Sequence, residues 1–208
     1  MAYHPLTKTG SSIELLRKPV SFVVAGLLLL AALFTVPRGH GNGWHEVLEL
    51  TGFLFLIIAA LGRIWATAYV AGRKTRELCR LGPYSLTRNP LYFFSFIGAV
   101  GFGFAIQNLI LGAIIALLFL AYYAAVIRSE ERRLRAVHGE KFDEYCVQVP
   151  RFWPRLERPE GGQEVVLNVA PFTRGLREVF WFLAAIIGAD VLEWVLASAW
   201  WPTFTLPF

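Results

Sequence analysis

The sequence predicts an all-α fold, a polytopic transmembrane helical bundle of five spans. Three observations predict it. Only 17% of the 208 residues are charged and 56% are hydrophobic, where a soluble domain carries about a quarter charged residues. The mean hydropathy of +0.51 leaves more apolar surface than one small soluble core can bury. Finally, the apolar residues gather into five runs close to the roughly 20 residues that a membrane helix needs, and the basic residues fall on one side of them.

The spans are expected at 19–36, 47–70, 91–106, 109–127 and 179–200, within a single membrane domain covering 1–208. The first holds the uncharged run Val20–Val36, between Arg17-Lys18-Pro19 and Pro37-Arg38-Gly39. It is too long for the apolar part of a usual signal peptide, and more spans follow. The second carries Glu49 near one end and Arg63 inside. Pro90 opens the third, where a proline suits a helix start. Gln107-Asn108 leaves room only for a tight turn, so spans three and four form a hairpin. The fifth contains Asp190 and Glu193. Between spans four and five, Ser129–Val147 reads as an amphipathic helix on Leu134, Val137 and Phe142. Gly139 interrupts it and Pro150 ends it, while 156–176 reads as a linker.

Of the 20 Lys and Arg, 18 lie before span one, between spans two and three, or between spans four and five. A five-span chain puts all three segments on one side, with Arg38 opposite. The positive side is the cytoplasmic one. The chain is therefore expected as a multi-pass protein of a bacterial inner membrane, N-terminus cytoplasmic and C-terminus outside. The net charge of +5 follows from this orientation, and nucleic acid is not expected as a partner. Trp44, Trp194, Trp200 and Trp201 near one interface, and Trp153 and Trp181 near the other, suit membrane anchoring. Cys79 and Cys146 fall in cytoplasmic segments and should be reduced thiols. His4, His40, His45 and His138 are scattered, and no metal site is expected.

Charges inside a membrane tend to face a partner or a cavity. Asp190 and Glu193 share a helix face, and Arg63 is positioned to pair with one of them if spans two and five touch. Two cytoplasmic junctions carry more chemistry. In Leu81–Tyr92, Arg88 stands just before a helix N-terminus, where free amides and the helix dipole favour a carboxylate, and Tyr84 and Tyr92 flank it. In Arg128–Tyr145, Glu130 and Glu131 sit where span four leaves the membrane and project to different sides. One can face a site while its neighbour pairs with Arg128, Arg132 or Arg135. Each stretch alone also suits ordinary interfacial architecture.

Together they resemble a known family. Pro83-Tyr84, Thr87-Arg88-Asn89-Pro90-Leu91-Tyr92, Glu130-Glu131 with Leu134, Gly139, Phe142–Tyr145 and Val149-Pro150-Arg151 are similar in order and spacing to the isoprenylcysteine carboxyl methyltransferase and phospholipid N-methyltransferase superfamily. The resemblance implies an enzyme with S-adenosylmethionine as methyl donor, and a lipid or lipidated acceptor arriving from the bilayer. It implies that 71–90 and 128–178 are the catalytic segments, with the amphipathic helix capping a cofactor pocket. It places Tyr84, Arg88, Asn89, Pro90, Leu91, Tyr92 and Glu130 at the cofactor, and Leu78 and Cys79 by spacing alone. Asn89 stands where the family usually has His, and Asn cannot titrate near neutrality. The family's substrate-orienting Arg aligns with Val126, leaving Arg128 as the nearest candidate for substrate binding.

An acceptor amine must lose a proton, which makes Glu131 the candidate catalytic base; an acceptor carboxylate needs none. The competing expectation is a non-enzymatic transport or assembly protein acting through Arg63, Asp190 and Glu193. A nicotinamide-dependent reductase is disfavoured, because Gly98, Gly101 and Gly103 lie inside a span and suit close helix packing.

Overall fold

The computed structural model describes residues 32–37, 43–72, 77–155, 157, 159, 167–196, 198, 202 and 204–206. Their helices are α1 (Gly43–Val70), α2 (Pro83–Leu86), α3 (Pro90–Ala105), α4 (Leu109–His138), α5 (Glu140–Gln148) and α6 (Val169–Leu196). Of these, α1, α4 and α6 are long and apolar enough to cross a membrane. The third expected span forms α3, whose 16 residues extend only about 24 Å. That is less than the roughly 30 Å of a hydrocarbon core. Most of the first expected span, and all of it before Ala32, lies outside the described residues.

Local chemistry explains the boundaries. Pro90 occupies the first turn of α3, where its missing N–H costs nothing. Asn108 caps α4 by accepting from the Leu111 amide at 3.0 Å. The α3–α4 turn is tight because Gly103 and Gly112 face each other, and a Cβ on either would strike the other's Cα. Span four and the start of the expected amphipathic helix are one continuous helix of 30 residues. At Gly139 a φ of 53° ends it and α5 begins.

One expected boundary needs correction. The expected linker at 156–176 gives way at Val169 to α6, ten residues before the expected start of span five. Pro171 is tolerated because it lies in the first turn. Among the described residues, which are otherwise largely helical, two three-residue strands, β1 (Thr35–Pro37) and β2 (Phe204–Leu206), pair in parallel with Thr35 opposite Phe204. Such short runs carry no periodicity by which a sequence could announce them.

Helices α1 and α6 run antiparallel. The side-chain amide of Asn168 donates to the Ala71 carbonyl at one end, and Gln107 bridges Glu49 and Glu193 at the other. This register decides the partner of Arg63. The arginine lies seven residues before the end of α1, and Glu178 lies nine residues after the start of α6. Arg63 therefore pairs with Glu178, rather than with Asp190 or Glu193, and also donates to Ser95 and to the Leu91 carbonyl.

Among the described residues, two separate cores result. Leu56, Ala105, Ile106, Leu111, Ala189 and Leu192 pack with Ala32 at the end holding the α3–α4 turn. Phe142, Tyr145 and Val149 pack with Leu78, Leu134 and Cys146 in a cap at the opposite end. Between them Leu50, Leu54, Leu61, Leu117, Trp181 and Ile187 point outward, as lipid-facing side chains do.

Candidate functional site

The chain from Tyr84 to Asn89 lies against the chain from Tyr145 to Arg155. Gly82, with a φ of 60°, turns the backbone into the four-residue α2, and Thr87 leaves it extended. The Arg88 amide then donates to the Pro150 carbonyl at 2.9 Å, and the Arg155 amide donates to the Leu86 carbonyl at 3.1 Å. Thr87, 2% exposed, donates its hydroxyl toward the Phe152 carbonyl at 3.0 Å. The Tyr145 hydroxyl donates to the Tyr84 carbonyl at 2.6 Å. The Asn89 side chain is buried and donates to the Arg151 carbonyl at 2.8 Å. The two junctions are thus joined by backbone and side chains together.

At their meeting point is Glu131, 7% exposed. Arg88 Nη1 lies 3.1 Å from its Oε1. Arg151 Nη2 and Nε lie 2.7 and 2.9 Å from its Oε2. Glu131 therefore joins the approach to α3, the body of α4 and the chain after α5. Its partners are Arg88 and Arg151, not the neighbouring arginines of its own helix that the sequence offers. Hydrogen bonding to Glu131, then its charge, raises the Arg151 pKa and keeps the guanidinium charged. Arg88 Nη1 also reaches the Cys146 sulfur at 2.6 Å, while Arg88 Nε is buried without a hydrogen-bond partner.

Glu130, on the next face of α4, is half-buried. Burial raises the Tyr84 phenol well above the ordinary tyrosine value, and the charges of Cys79, Tyr145, Glu130 and Tyr92 add to the effect. Five of these side chains therefore share one neighbourhood. Tyr92 meets Tyr123 at a ring distance of 4.8 Å, and Tyr123 stacks on Phe119 at 4.1 Å. Phe93, Phe96, Phe152 and Trp153 extend this aromatic wall, with Trp153 exposed.

Other expected site residues are placed more variously. Pro90 is fully buried, and Leu91 offers its carbonyl to Arg63. Cys79 points its thiol at the Tyr69 carbonyl, 3.7 Å away. Leu78 packs on the cap core and also lines a cavity of about 430 Å³ with Glu77, Arg80, His138, Lys141 and Glu144. Arg80 connects this cavity to the junction: it lies over the Tyr145 ring at 5.8 Å and donates to the Lys141 carbonyl. Arg128 is exposed on α4, the residue after buried Ile127.

Sequence reasoning missed Arg151, Thr87, Tyr123 and Glu178 as partners in these contacts. For Arg151 a signal existed in Val149-Pro150-Arg151, a proline-stopped helix followed by a guanidinium. Glu178 had none, because the expected start of span five at 179 leaves it at the end of the cytoplasmic segment 128–178.

Known proteins are similar to this chain in sequence. The profile of the phospholipid methyltransferase family matches residues 48–141, from α1 through the first residues of α5. The nickel-cobalt-cadmium resistance protein NccN of Alcaligenes xylosoxydans xylosoxydans is 38% identical over 180 residues, covering 86% of this chain and 84% of that protein. The cobalt-zinc-cadmium resistance protein CzcN of Cupriavidus metallidurans is 37% identical over 185 residues, covering 89% and 83%. No solved structure matches the chain. With the matched region enclosing both α3 and the Glu130–Glu131 pair of α4, the chain belongs to the membrane family of isoprenylcysteine and phospholipid methyltransferases.

Proposed function

We propose that this protein is an integral membrane methyltransferase that uses S-adenosylmethionine on a lipophilic acceptor, a carboxylate of isoprenylcysteine type or a phospholipid amine. The observation that carries the reading is the joining of the Tyr84–Tyr92 and Glu130–Arg151 segments around one buried carboxylate. The residues fit the cofactor's chemistry. Arg88 Nε is a buried donor still without a partner, suited to the cofactor's carboxylate. Glu130 supplies an acceptor for the ammonium, and Tyr92 an aromatic face for the positive sulfur. The open recess beside Leu78 carries acids and bases together, as a zwitterion requires.

The bound cofactor would supply an electrophilic methyl group; the chain's part is to hold the acceptor in line with it and to keep water out. Tyr84, Asn89, Pro90, Leu91 and Cys79 build the wall, and Asn89 does so through the Arg151 carbonyl rather than as a base. Glu131 is the candidate base for an amine acceptor. Its two guanidinium partners favour an acceptor that arrives deprotonated, and catalysis then rests on orientation and exclusion of water. Arg128, exposed at the membrane exit of α4, is placed to meet an acidic headgroup.

The relatives' names favour a physiological setting for this chemistry. We read the methyl transfer as serving tolerance to divalent heavy metals, through a modified envelope lipid or lipidated molecule. The test is incubation of the purified protein, in lipid nanodiscs, with radiolabelled donor and extracted membrane lipids. Label should enter an organic-soluble product with the wild type and not with Glu130→Ala. No label in any lipid fraction, from protein that binds the donor, would contradict a lipophilic acceptor.

A further inference from the structure

Two helices carry an exposed stripe that changes character along its length. On α4, Leu117, Ala121, Ala125, Arg128 and Arg132 are all exposed, and their spacing puts them on one helix face. On α6, the exposed residues Arg174, Arg177, Trp181, Ala184, Gly188 and Val191 share a face in the same way. Each stripe is apolar through the span and basic toward the cap. A surface that meets lipid tails along most of its length therefore ends in guanidiniums.

The two basic ends begin at one level. Arg63 of α1 holds Glu178 of α6 and reaches Leu91 and Ser95 of α3. Tyr92, the residue after Leu91, meets Tyr123 of α4. Arg174 lies four residues from Glu178, and Arg128 five residues from Tyr123, both toward the cap. They stand about 6 and about 7.5 Å beyond this shared layer. Trp153, exposed, touches Phe93 and Phe96 beside the layer, and Trp181, exposed, lies within a turn of Glu178. Tryptophans at one depth with arginines just beyond mark a membrane–water interface. The length of α4 agrees: from Leu109 to Arg128 it rises about 29 Å, the thickness of the hydrocarbon core.

Arg63, Arg80, Arg88, Arg135 and Arg151 each have a carboxylate partner. Arg128, Arg132, Arg174 and Arg177 have none among the described residues. Their donors are open to a phosphate at headgroup depth, which guanidinium geometry matches.

We propose that Arg128 and Arg132 on α4, and Arg174 and Arg177 on α6, bind the phosphates of anionic phospholipid in the leaflet on the cap side. A lipid of net negative charge is favoured over a zwitterionic one, whose own cation competes for the phosphate. This lipid is a resident of the belt and not the methyl acceptor.

The experiment is titration of the full-length, detergent-purified protein with phosphatidylglycerol or with phosphatidylcholine, the bound lipids being counted by native mass spectrometry. Phosphatidylglycerol offers neither an amine nor a carboxylate, so its retention is independent of methyl transfer. The wild type should retain it at least about tenfold more tightly than phosphatidylcholine, and raising ammonium acetate from about 0.1 to about 1 M should erase most of the preference. Arg128→Gln with Arg132→Gln, and Arg174→Gln with Arg177→Gln, should each lower the preference, and all four together should abolish it. Lysine at all four positions should retain it. Melting in phosphatidylcholine alone guards against misfolding, and the fourfold glutamine variant should match the wild type there, because the four side chains are exposed. Equal retention of the two lipids by the wild type, or an undiminished preference in the fourfold glutamine variant, would overturn the proposal.

Discussion

Glu131→Gln tests the residue on which the two junctions meet. It keeps the shape but leaves the buried guanidinium of Arg88, 12% exposed, without its counter-charge. Breaking such a pair from one side costs about 3–5 kcal/mol, so a large fall in melting temperature is expected. Arg151→Met should cost much less, about 1 kcal/mol or below, because Arg151 is half exposed and water already screens it. Equal losses in the two variants would contradict a buried Arg88–Glu131 contact. The tyrosines make a pH prediction. Burial, above all, raises the phenols of Tyr84 and Tyr145 beyond the ordinary value of 10.0, Cys79 adding to it in both. The folded state thus prefers the protonated form. The stability these groups contribute is fully present below pH 10 and declines as the pH rises past it. Tyr145→Phe should lose about 1 kcal/mol at neutral pH with the bond to the Tyr84 carbonyl, and should melt less steeply with pH above 10. Melting curves from pH 7 to 11 measure both. At this scale the sequence made Arg88, Glu130, Glu131 and Tyr92 visible, because charge and aromatic character at a membrane junction need a reason. It could not show that Arg151 closes the clamp, since that depends on where the chain turns after Pro150.

At the scale of elements, the α3–α4 hairpin delivers both junctions to one end. It depends on small residues: Gly103 faces Gly112, and Gly52 of α1 lies against the Ala105 backbone. Gly103→Val should force the helices apart, at a cost of about 1–3 kcal/mol, and should weaken cofactor binding from a distance. Unchanged binding and melting would show that the hairpin does not set the site. The hairpin was legible because Gln107-Asn108 leaves room for nothing but a turn, and α4's start because Asn108 is a good cap. The start of α6 was not legible. Pro171 and the polar residues around it read as a loop, and only packing against α1, through Asn168 and through Arg63 with Glu178, favours helix there. The same error hid the true partner of Arg63, since helix register fixes which charges share a depth.

For the whole molecule, polarity is the organising fact. The cap core and the cavity lie at one end, and the acidic cluster around Gln107 lies at the other. We propose, from the basic bias of the sequence, that the cap end faces the cytoplasm. An alkaline phosphatase fused after Phe208 should then be active, and one fused after Val147 inactive. The reverse pattern would contradict five spans with the N-terminus inside. The family, too, was legible, because its motif rests on residue types at fixed spacing. The acceptor was not, since a carboxylate and an amine call on the same wall of aromatic and polar groups. The central claim is that the two junctions make one cofactor site. It is tested most directly by calorimetric binding of S-adenosylmethionine to the purified protein. The wild type should bind one equivalent, Glu130→Ala and Tyr92→Ala should each bind at least about tenfold more weakly, and Asp190→Asn should bind as the wild type does. A folded wild type that binds none, or variants at both junctions that bind undiminished, would contradict it.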